Sequence, residues 1–63
     1  MRAFDVLERY GYATTYEVVT NGIAWSKRSG YDILGDKGLL QSDVKGIMFC
    51  EGNYIMMEVD YDD

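Results

Sequence analysis

Residues 12 to 40, YATTYEVVTNGIAWSKRSGYDILGDKGLL, constrain the fold more than any other stretch, because they carry the signals of two incompatible structures. As helices, they open on Thr14 with Glu17 three residues later, the spacing of a capping box in which hydroxyl and carboxylate satisfy each other's free backbone amides. Val18 and Val19 then point inward, and Asn21-Gly22 ends that helix with residues that tolerate positive φ. Ile23 becomes a buried turn residue before a second helix from about Trp25 to about Leu34. As strands, Tyr16 to Thr20 and Ile23 to Ser26 are rich in β-branched and aromatic residues, and Asn21-Gly22 suits a two-residue type I′ hairpin turn. Gly30 and Gly35 favour this second reading, since glycine inside a helix costs roughly 1 kcal/mol relative to alanine.

The flanks are less ambiguous. Over residues 2 to 10, Ala3, Phe4, Leu7 and Tyr10 share one helical face, with Asp5, Glu8 and Arg9 elsewhere, and Gly11 is a natural helix stop. Gly38 to Ser42 suggests a short strand, Asp43 to Gly46 a turn, and Ile47 to Cys50 a second strand. After a turn at Glu51-Gly52-Asn53, residues Tyr54 to Tyr61 predict a third strand. There Ile55, Met57, Val59 and Tyr61 alternate against Tyr54, Met56, Glu58 and Asp60.

At 63 residues the chain is expected to be one domain, 1 to 63, with room for one small core. Nine aromatic residues and no proline predict order nearly throughout. A single cysteine, Cys50, excludes an intrachain disulfide, and the absence of histidine leaves too few ligands for a zinc site. No cofactor is implied. Charges at Asp5, Glu8 and Arg9 interrupt any signal-peptide core, and no segment approaches a membrane span, so a soluble cytoplasmic protein without a membrane partner is expected.

Enzymatic activity is not expected. Without histidine, the remaining candidates are isolated carboxylates or Cys50 beside Glu51, and adjacent strand residues point to opposite faces. The GDKG at 35 to 38 lacks the spacing and the Ser or Thr of a phosphate-binding loop.

The net charge of −5 is unevenly placed. Residues 9 to 50 hold five basic residues against four acidic ones, whereas residues 51 to 63 hold Glu51, Glu58, Asp60, Asp62 and Asp63 and no basic residue.

Taken in order, a helix, then Tyr-Gly-Tyr-Ala-Thr-Thr-Tyr-Glu-Val-Val, Gly-Ile, Trp-Ser-Lys, Ile-Leu and Asp-Lys-Gly-Leu-Leu before two strands, the chain resembles the winged helix-turn-helix family over about residues 3 to 50. The resemblance implies an α+β fold, a three-helix winged helix-turn-helix with a C-terminal antiparallel β-wing. The alternative is a mostly-β small sheet or barrel with an N-terminal helix. In the winged-helix family the second helix of the turn motif enters the DNA major groove, and the wing touches the backbone or minor groove. Carried over, Trp25, Ser26, Lys27, Arg28 and Ser29 open the recognition helix and Lys45 sits at the wing tip. The implied function is a small DNA-binding transcriptional regulator, and so few basic residues imply a homodimer on double-stranded DNA.

A different class of function follows from the acidic end. Tyr54, Glu58, Asp60, Tyr61, Asp62 and Asp63 interleave aromatics with carboxylates, a pattern that can anchor and steer a basic protein partner. That points to a protein-interaction module or inhibitor, including one that imitates the charge of DNA. Trp25 is expected in the core of the β reading and at a DNA or partner face in the helical one. Met48, Met56 and Met57 are expected first as core fillers and second as an adaptable binding surface.

Overall fold

The β-branched run at 15 to 20 is extended. It forms β1 (Thr15–Thr20), turns at Asn21-Gly22 and returns as β2 (Ile23–Ser29), antiparallel to it. Both turn residues have positive φ, 52° at Asn21 and 77° at Gly22, as a type I′ hairpin turn requires. The computed structural model describes residues 1–61.

The winged helix is therefore not the fold. Where a capping box would begin a helix, the Thr14 hydroxyl donates to the Tyr10 carbonyl at 2.7 Å. The predicted recognition helix from Trp25 to Leu34 is β2 followed by a single turn, α2 (Gly30–Ile33). A cap contributes about 1 kcal/mol, whereas β1 has a strand on each side, so ladder pairing and burial outweigh the local signal. The alternative expected above, a small sheet with an N-terminal helix, is the architecture observed.

That first helix, α1 (Ala3–Tyr10), ends at Gly11 with φ 102°. It buries Ala3, Val6 and Leu7, while Phe4, expected on the inner face, is 41% exposed. The segment expected as a strand at 38 to 42 instead contains α3 (Lys37–Leu40), because Asp36 caps it, its carboxylate accepting from the Leu39 amide at 3.1 Å. The turn expected at 43 to 46 is part of β3 (Asp43–Cys50), with Lys45 as the extra residue of a β-bulge between Val44 and Gly46. The last strand, β4 (Tyr54–Asp60), pairs antiparallel with β3 and parallel with β1.

The sheet order is β2-β1-β4-β3, so two hairpins meet along a parallel central pair. Tyr16 and Val18 from β1 and Ile55, Met57 and Val59 from β4 face the helices and close the core with Ala3, Val6, Leu7, Ile33 and Leu39. The buried Tyr16 hydroxyl donates to the Gly11 carbonyl at 2.7 Å, tying the end of α1 to β1. Burial is the main cause pushing that phenol above its ordinary pKa.

Gly30 is required by proximity. A Cβ there would lie 2.7 Å from the Tyr12 backbone, where the Tyr31 amide bonds to the Tyr12 carbonyl and the Gly30 amide to that of Thr14. Gly30→Ala is expected to cost about 1–3 kcal/mol, seen as a fall of several degrees in Tm by circular dichroism. An unchanged Tm would contradict this packing.

Candidate functional site on the open face of the sheet

The helices contribute to one core on one face, so the alternate side chains of the strands form a second, open face. The registers arrange it in rows across β2, β1, β4 and β3. Ser29, Thr15, Tyr54 and Cys50 form the first, and Lys27, Glu17, Met56 and Met48 the second. Ala24, Val19, Glu58 and Gly46 form the third, and beyond it Asp60 of β4 lies directly opposite Asp43 of β3.

The rows explain one another chemically. Two methionines lie side by side in the second row, and the small residues Ala24 and Gly46 sit at the ends of the third. A groove of ≈ 160 Å³ results, lined by Gly46, Ile47, Met48, Met56 and Glu58. Its walls are flexible thioether side chains and its polar group is one carboxylate. Asp43 facing Asp60 is an unfavourable like-charge pair on an antiparallel ladder, with Arg2 bridged to Asp43 on the outer side. This end of the face therefore carries three carboxylates, Glu58, Asp60 and Asp43, with one cation, Arg2, beside Asp43.

At the other end, the Lys27 ammonium lies 3.9 Å from the centroid of the Tyr54 ring, a cation–π contact reaching across β1. The Tyr54 phenol is pushed above its ordinary pKa, first through hydrogen bonding with the Cys50 side chain and then by the charge Cys50 can carry. Burial and Glu17 add to the rise.

The residues expected to touch DNA do not converge. Trp25 turns to the helix side, donating its indole N–H to the Thr20 hydroxyl at 3.0 Å and packing edge-on against Tyr61. Ser26 lies with Trp25 in the irregular part of β2, between the pairs Ala24↔Val19 and Lys27↔Glu17. Arg28 donates to the Asp32 carbonyl at 3.1 Å, and the Ser29 hydroxyl caps α2 by accepting from the Asp32 amide. Lys45, expected at a wing tip, sits in the β3 bulge with the width of the sheet between it and Lys27 and Arg28.

The residues expected to bind protein divide between the two faces. Tyr54, Glu58 and Asp60 share the open face. Tyr61 points to the helix side, where its hydroxyl donates to the Asp36 carboxylate at 3.3 Å and its ring packs on Gly38. Asp62 and Asp63 lie outside the described residues. The sequence did not single out Gly46, nor Met48 and Met56 ahead of Met57. Only Met57 is a core residue, and the alternation along β4 carried that distinction.

Among the described residues, no His, Cys, Asp and Glu side chains group as a metal site, and no helix is long and apolar enough to cross a membrane. Comparison with family models, with curated proteins and with solved structures found no match.

The Tyr54–Cys50 contact has a measurable consequence. Cys50→Ala removes the leading cause of the rise, so the Tyr54 phenol should ionise at lower pH than in the parent protein. Ring-proton NMR through the alkaline range reads this directly, and an unmoved Tyr54 titration would contradict the contact.

Proposed function

We propose that this protein is an acidic protein-interaction module that holds a basic protein partner against the open face of its sheet. The observation that carries this reading is the groove beside Gly46, where Met48 and Met56 flank the Glu58 carboxylate. A lysine or arginine side chain suits it: the aliphatic stem lies along the thioethers and the cation meets Glu58. Asp43 and Asp60 extend the negative field around that point and relieve their mutual repulsion when a cation approaches. Tyr54 supplies an aromatic anchor at the far end of the same strand.

The reading rests on binding alone and invokes no catalytic step. It also replaces the groove-reading role implied by the family resemblance. With no recognition helix, and with Arg28 engaged by α2, the basic residues of β2 lack the scaffold that major-groove recognition needs.

A peptide of alternating lysine and leucine serves as the probe. Its titration into isotope-labelled protein is expected to move the amide signals of Gly46, Met48, Met56 and Glu58, with affinity falling as salt is raised. Glu58→Lys should weaken binding roughly tenfold, equivalent to about 1.4 kcal/mol. Duplex DNA is expected to leave the spectrum unchanged. Shifts confined to the helix side, or a response to DNA centred on Lys27 and Arg28, would overturn the proposal.

A further inference from the structure

The two edges of the sheet are built differently. The β2 edge carries Lys27 and Arg28 and a bulge at Trp25-Ser26, the usual protections against pairing with another strand. The β3 edge is protected over its first residues, where the Val44 amide donates to the Met1 carbonyl, Arg2 forms a β-bridge with Asp43 and Lys45 sits in a bulge. From Gly46 to Cys50 it is uncharged, and Met48 and Phe49 are 56% and 66% exposed. Phe49 meets the helix layer in an edge-on contact with Tyr10 at 5.3 Å.

The direction of the free backbone groups follows from the ladder. The Val44 amide faces outward to Met1, and after the bulge the register resumes at Gly46↔Glu58 and runs regularly to Cys50↔Tyr54. Alternation then turns the N–H and C=O of Gly46, Met48 and Cys50 toward β4 and those of Ile47 and Phe49 away from it. Two outward-facing residues flank Met48 symmetrically.

We infer that β3 is the docking edge for a second copy of this chain, added antiparallel about a twofold axis through Met48. In this register Ile47 exchanges both backbone hydrogen bonds with Phe49 of the other copy, on each side of the axis. Their side chains extend the apolar layer on the helix side, and the two Met48 side chains meet on the open face. Charge selects the register. Centring on Met48 places Lys45 opposite Glu51 of the other copy, and the symmetry repeats that pairing at the far end. Centring on Ile47 would bring Asp43 against Glu51, a like-charge pair, and centring on Phe49 would leave Lys45 opposite the neutral Asn53. The resulting eight-stranded sheet leaves both open faces exposed on one side, and although Gly46, Ile47 and Met48 belong to both the docking edge and the groove, Lys45 and Glu51 lie outside the groove and separate the two readings.

Sedimentation equilibrium of the protein alone, with no peptide present, tests this. The 7.2 kDa chain is expected to approach twice its mass as concentration rises. Lys45→Glu and Glu51→Lys should each weaken association roughly tenfold by replacing attraction with repulsion at both ends, and combining them should restore it. Met48→Arg, at an exposed position, should give a folded monomer by circular dichroism and sedimentation. A wild-type protein that stays monomeric to millimolar concentration overturns the inference. So does a Met48→Arg variant that still dimerises, or a double charge reversal that fails to restore association.

Discussion

The parallel pairing of β1 with β4 is the contact on which the rest of this small protein depends. Each strand already has an antiparallel partner through a short turn, and either hairpin alone would be marginal in water. Joining them side by side puts Tyr16 and Val18 next to Ile55, Met57 and Val59, giving α1, α2 and α3 a continuous surface to cover. Each such fully buried side chain contributes about 1.5–3 kcal/mol, and the seam supplies half of the buried core, the helices supplying Ala3, Val6, Leu7, Ile33 and Leu39. The connection through α2 and α3 is what brings β4 alongside β1 in the parallel sense, since parallel neighbours need a crossover.

Covering one face leaves the other free. On β4 the alternation that sends Ile55, Met57 and Val59 inward sends Tyr54, Met56, Glu58 and Asp60 outward. Tyr54, Met56 and Glu58 of this outward set are half-buried against their neighbours and Asp60 is exposed, so carboxylates are set among thioethers and an aromatic ring. A surface that served only for solubility would have no need to align two methionines with a glutamate over a glycine, nor to hold Asp43 opposite Asp60. These features support the proposed capture of a basic partner, and the uncharged middle of β3, which also lines the groove, supports self-association.

Much of this was legible in the sequence wherever the signal was local. The helix ending at Gly11, the Asn21-Gly22 turn and the two-residue period of β4 all follow from residue type and spacing, and all are present. Thr14 and Glu17 misled because a capping box is a pattern of side chains that acts only if a helix forms. Here the Thr14 hydroxyl finds the Tyr10 carbonyl, and Glu17 lies on a strand flanked by others. Asp36 gave a true helix start that Gly38 disguised. The β1–β4 pairing left no local trace, because it joins residues from opposite ends of the chain. With it went the identity of the open face, which is why Gly46 emerges, and Met48 and Met56 separate from Met57, only in three dimensions.

The central claim is tested most directly by interstrand nuclear Overhauser effects in isotope-labelled protein. A parallel β1–β4 seam predicts backbone contacts joining Thr15–Val19 to Tyr54–Glu58 in register, with extended chemical shifts on both sides of Asn21-Gly22. Helical shifts over residues 15 to 20 and 25 to 34, with no contacts between the first and last strands, would contradict the sheet and everything inferred from its open face.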